Sequence, residues 1–170
     1  MANPLSKLPI ANTTRRNHAL EHATMSVLAA KYPGVKMAGM SNPTGFVLFA
    51  DLPTEIVTDG VLEAQKRLAN GEVELAVHPN CGTNLVTSSI LAGSAAFLSH
   101  WGSSGKRKPG LLNYLLAVAV ALPIFIASRP IGPRVQRLIT TDPDLAGRQV
   151  RLVESRKTYH GFVHTITTDL

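Results

Sequence analysis

The chain has 170 residues, a mean hydropathy of +0.11 and a net charge of +6. Hydrophobic residues make up 45% and charged residues 16%, against roughly 25% charged in an ordinary soluble domain, which excludes a disordered chain. A single cysteine, Cys81, excludes an internal disulfide framework, and 5% aromatics argue against a base-stacking surface.

Residues 1–12 are polar and contain Pro4 and Pro9. They lack the apolar core of a secretory signal, so the first part of the chain is expected to stay in the cytoplasm. Thr13 and Thr14 are N-cap candidates for a first helix. Leu20, Ala23, Val27 and Ala30 fall at helical spacing, and Lys31 with Pro33-Gly34 ends the helix. Val35 to Met40 reads as a weak strand, and Ser41 to Gly45 as a turn. Phe46 to Ala50 is a continuous apolar run, as in a strand buried on both faces. Pro53 stands near the start of a second helix with Val57, Val61, Ala64 and Leu68 as its stripe; Gly60 should weaken or split it, and Asn70-Gly71 stops it. Val73, Leu75 and Val77 alternate with polar neighbours, which predicts a strand. The region is thus a compact α-β-β-α-β unit.

Two apolar stretches follow. Leu85 to Ser99 carries a small-residue stripe, Ser88, Ala92 and Ala96, that suits close helix packing. Leu111 to Ser128 contains no charge and would span about 27 Å as a helix, near the thickness of a hydrocarbon core. The expected form is a transmembrane helical hairpin joined by the basic loop 102–110, with His100 and Trp101 as interfacial anchors. Pro130 to Ile139 reads as a short interfacial helix, and Thr141 to Asp144 as a turn. Val150 to Glu154 and Tyr159 to Thr167 read as strands that could join the first sheet. The fold class is therefore α+β: an α+β domain over residues 1–83, a membrane hairpin over 84–128, and a basic segment with strands over 129–170.

Charge supports that division. Residues 1–83 hold seven bases and seven acids, so the excess lies at Lys106, Arg107, Lys108 and beyond Ser128. Bases flanking apolar stretches mark contact with anionic headgroups. The expected partners are the lipid bilayer and other membrane helices or further copies of the chain, with no nucleic acid. The expected location is a bacterial inner or intracytoplasmic membrane. A buried helical hairpin in a soluble protein is the competing reading.

The strongest chemical signal is His18-Ala19-Leu20-Glu21-His22. Residues i and i+4 of a helix share a face, so both imidazoles can reach one ion. Glu21, one turn from His18, is placed to take a proton. Zinc is the expected metal, with Glu21 as the catalytic base. His78, beside Pro79-Asn80-Cys81-Gly82, is the expected third ligand, with Glu63 and Cys81 as competitors. Each has a plain structural alternative: helix-surface histidines, a turn built by Pro79 and Gly82, an i,i+4 pair of Glu63 with Arg67. His160 and His164 share one side of a strand, where the solvent-facing reading is preferred.

The H-x-x-E-H order resembles the inverted-zincin signature of the pitrilysin and insulinase peptidases. That resemblance implies zinc held by His18 and His22, Glu21 as general base, and a glutamate on a later helix as third ligand, for which Glu63 is the candidate. Arg16 to Thr24 (R-N-H-A-L-E-H-A-T) and His78 to Asn84 (H-P-N-C-G-T-N), followed by a hydrophobic hairpin, also resemble a family of uncharacterised small bacterial membrane proteins, some from phototrophs. That second resemblance implies membrane attachment. The functional expectation is a small membrane zinc protein of the metallopeptidase type; the alternative is a non-catalytic subunit of a membrane complex, for example a photosynthetic one.

Overall fold

The computed structural model describes residues 9–101, 110–159 and 161–169. The chain divides into two compact units, residues 1–78 with 137–170, and residues 79–136.

The first unit is α+β. Helix α1 (Pro9–Lys31) is followed by β1 (Met37–Asn42), β2 (Gly45–Ala50) and α2 (Thr54–Ala69). The chain later returns as β3 (Gln149–Thr158) and β4 (Gly161–Asp169). The four strands form one antiparallel sheet in the order β1-β2-β4-β3, so the C-terminal strands do complete the first sheet. Helix α1 is already formed at Pro9, ahead of the threonines expected to cap it, and Thr14 instead bonds back to the Ile10 carbonyl at 3.0 Å.

Burial follows the two periodicities. In β2, Phe46, Leu48 and Ala50 are buried while Phe49 is exposed. The strand is therefore covered on one face and not on both, because the helices pack on that face alone. Ile166 and His164 of β4 lie opposite Phe46 and Leu48 and share their side. Val57, Val61, Ala64 and Leu68 of α2 meet Leu20, Ala23, Val27 and Leu28 of α1 in the same core. Gly60 does not split α2. It marks the closest approach of the helices, where an added Cβ would stand 2.6 Å from Leu28 Cδ2.

Local signals stop α2 as expected. Gly71 takes φ +91°, its N–H reaches the Leu68 carbonyl at 3.0 Å, and the Glu72 N–H reaches Arg67 at 3.1 Å. These bonds form a Schellman cap. The next stretch departs from expectation. Val73–Ala76 is a 3-10 turn and not a strand, its backbone satisfied locally by Leu75 N–H to Glu72 and Val77 N–H to Glu74, both 3.1 Å. Ala76 is its buried residue, whereas Val73 is half exposed.

The second unit is helical. Helix α3 (Gly82–Trp101) packs on α4 (Leu111–Ala127) and on α5 (Ile131–Val135), which runs into a π turn at Gln136–Thr140. No residue of α4 is buried. Ser88 and Ala92 of the small-residue stripe are buried. Among the described residues no single helix is long and apolar enough to cross a membrane; Leu111–Ala127 with Ile131–Thr140, bent by 59°, passes that test together. The expected transmembrane hairpin is thus matched only by this one bent pair and by no single helix among the described residues. The hairpin loop 102–109, the His100 and Trp101 side chains, and His160 lie outside the described residues.

Candidate metal centre

The centre is built on α1. His18 and His22 are one turn apart, their ring centroids 4.2 Å apart at an interplanar angle of 60°. His18 Nδ1 lies 2.9 Å from the Thr140 carbonyl, and His22 Nδ1 lies 2.9 Å from the Ala76 carbonyl. A carbonyl only accepts, so each Nδ1 donates and carries the proton. Each neutral ring then presents its lone pair at Nε2. Metal-binding histidines are oriented in this way, by a hydrogen bond at the other nitrogen.

The two carbonyls come from segments distant in sequence. Ala76 ends the 3-10 turn. Thr140 is pinned to α1 through Arg15, whose Nη2 donates to the Thr141 carbonyl at 2.8 Å, and through the Asp142 N–H on the Arg15 carbonyl at 3.1 Å. Asn17 fixes the other side of the helix. Its Nδ2 donates to the Asn42 carbonyl and its Oδ1 accepts from Thr168 Oγ1, both at 2.8 Å. Asn17 of the R-N-H-A-L-E-H-A-T motif, with Arg15 just before it, thus aims the helix that bears the histidines.

The ring of His78 lies 5.8 Å from that of His22. Burial, and then the charge of His22, push its pKa below the usual histidine range. Cys81 follows three residues later. The ligand nitrogens of His18 and His22 lie within 4.8 Å of each other, a pair that could hold a metal ion. Imidazole and thiolate donors suit zinc.

Glu21 is only 4% exposed. Its carboxyl accepts a hydrogen bond from Ser41 Oγ and lies flat on β1 at Gly39, where any Cβ would overlap it. Burial raises its pKa, against the opposing pull of Ser41 and of the nearby His18.

The Glu63 carboxylate pairs with Lys31 and, at 3.9 Å, with Arg67 on the surface. His164 departs from the solvent-facing reading. It is fully buried on the core face of an inner strand, and burial lowers its pKa, against a smaller pull from the backbone at Ala50 and Leu52. Sequence reasoning missed the contributions of Asn17, Gly39, Ser41 and the Thr140 carbonyl. Asn17 had a signal, as a polar residue on the buried side of a helix; a backbone carbonyl 122 positions from His18 had none.

The sequence matches a family model described as a domain of unknown function (DUF6391) over residues 13–153. An uncharacterised protein of Picosynechococcus sp. is 41% identical over 97 residues, which covers 49% of this chain and 47% of that protein. The chain thus spans about half the length of the curated relative it matches. No solved structure matches. The matched region contains His18, Glu21, His22, His78 and Cys81, and the chain belongs to the DUF6391 family.

Proposed function

We propose that this protein is a membrane-attached zinc protein of hydrolase type. The observation that carries the reading is the locking of both Nδ1 atoms of His18 and His22 onto backbone carbonyls, which turns two adjacent Nε2 lone pairs into preset ligands. His78, whose ring lies 5.8 Å from that of His22, is the expected third donor, with Cys81, three residues on in the sequence, as its competitor. A bound zinc supplies Lewis acidity at such a site. Glu21 has the chemistry of a proton acceptor: its burial raises its basicity, and Ser41 holds it in place.

Membrane attachment is supported by the helical unit. Residues 79–136 contain no aspartate or glutamate and five bases, Lys106, Arg107, Lys108, Arg129 and Arg134. Leu111, Leu112, Leu115, Leu116, Val118 and Leu122 are each more than half exposed. An apolar surface of that kind seeks lipid or other apolar helices. The proposed location is a bacterial cytoplasmic or intracytoplasmic membrane. The exposed α4 also favours a second reading, in which the protein is a non-catalytic subunit and partner helices cover α4.

Metal analysis of the purified full chain tests the first reading. Wild type should hold about one zinc per chain, and His22→Ala and His78→Ala should lose most of it. Equal, negligible metal in all three overturns it. Glu21→Gln should keep the metal and lose hydrolysis of a labelled casein; hydrolysis that survives removes Glu21 from the role of base.

A further inference from the structure

The helical unit contains a cavity of about 670 Å³ with one charged side chain in its lining, Arg129. Sites for small ligands have this size. Its walls are rigid. Pro79, Pro130 and Pro133 line it and offer no N–H. Asn84 uses its side chain on the walls themselves, with Oδ1 accepting from Gln136 Nε2 at 2.6 Å and Nδ2 donating to the Pro79 carbonyl at 2.7 Å. Gly132 is buried against Asn84, where any Cβ would overlap the amide. That contact packs α5 closely against α3.

Two polar groups of the lining have no use in the fold. Ser88 is 2% exposed, and its Oγ lacks a hydrogen-bond partner among the described residues. A buried hydroxyl left unpaired is costly, so a ligand atom is the natural acceptor. Arg129 makes no ion pair among the described residues, and residues 79–136 contain no acid that could supply one. Asn80, Cys81 and Asn84 also line the cavity, and Leu85, Phe125 and the three prolines are its apolar part. Leu85 and Phe125 lead from the cavity to the exposed side chains of Val86, Leu122 and Ile126.

We propose that this cavity binds the headgroup of an anionic phospholipid, with Arg129 on the phosphate, the Ser88 hydroxyl donating to one of its oxygens, and the acyl chains on the apolar faces of α3 and α4. The choice of a lipid over a soluble anion rests on the membrane reading above. The binding of an anionic head does not, and neither depends on the metal.

The test uses the full chain in neutral detergent micelles, with native mass spectrometry to count retained lipid. Dioleoyl phosphatidylglycerol should be retained about tenfold over dioleoyl phosphatidylcholine, and Arg129→Gln should bring it down to the phosphatidylcholine level. Ser88→Leu, which fills the cavity and leaves Arg129 in place, should also lower retention. Arg134→Gln removes a base of the same unit outside the lining and should change nothing. Equal retention of the two lipids by wild type, or an equal loss in Arg134→Gln and Arg129→Gln, overturns the proposal. Displacement of the lipid by glycerol 3-phosphate alone overturns the lipid assignment in favour of a soluble phosphate. Extraction of the chain from membranes by alkaline carbonate would count against the membrane reading while leaving the Arg129 comparison to decide the cavity.

Discussion

Val57 and Val61 of α2 are fully buried, whereas α4, with a much more apolar sequence, buries no residue at all. In the first unit apolar side chains sit at one helical stripe and on one sheet face, and each finds a partner across the core. In the second, apolar residues cover every side of α4 and the polar ones gather near its ends. The first pattern stabilises a fold in water; the second leaves its hydrophobic surface for something outside the chain. Hydrophobicity by itself thus says little about a core. The periodicity of the apolar residues decides.

Substitution should separate the units most sharply. Leu48→Ala in the sheet core should cost about 2–5 kcal/mol in denaturant unfolding. Leu116→Ala on α4 should leave the unfolding of the first unit unchanged and weaken binding to vesicles; an equal destabilisation by both would erase the contrast. Next in size is Asn17→Ala. It strands the Asn42 carbonyl and the Thr168 hydroxyl, and should cost about 1–3 kcal/mol. A loss below that range would mean that water replaces the amide.

His164 gives the first unit a pH dependence. Its folded pKa is lowered by burial, while the unfolded chain titrates near 6.5. The unfolded state therefore binds the proton first. The stability is complete above about pH 6.5 and falls as the pH drops from there toward the folded value. His164→Phe should flatten this part of the stability curve. Identical curves for variant and wild type between about pH 7 and 5 would contradict the assignment. The smallest effect is expected from Glu63→Gln, which removes exposed pairs with Lys31 and Arg67. The midpoint and the metal content should both stay put, and a loss of metal would return Glu63 to the site.

Much of the first unit was legible because its signals are local. The Schellman stop after α2, the turn before β2 and the apolar stripes of α1 and α2 each depend on residues within one or two turns. His18 and His22 were legible for the same reason, since the helix repeat alone puts them on one face. The 3-10 turn at Val73–Ala76 was not legible. Its alternation fits a strand, and only the local hydrogen bonds and the burial of Ala76 under His22 show otherwise. The third donor was not legible either. His78, Glu63 and Cys81 are all plausible by residue type, and only the fold brings Lys31 and Arg67 to the Glu63 carboxylate.

The sequence by itself determined the helix that carries the paired imidazoles, the division into amphipathic and uniformly apolar regions, and the lack of acids from residue 79 to 136. These follow from spacing and composition, which act over a few residues. Tertiary structure decided which ring nitrogen each histidine offers, that Glu21 lies against Gly39 and Ser41, and that His164 is interior. Each depends on a backbone carbonyl or a strand partner far away along the chain, and no local pattern encodes where such a partner will arrive.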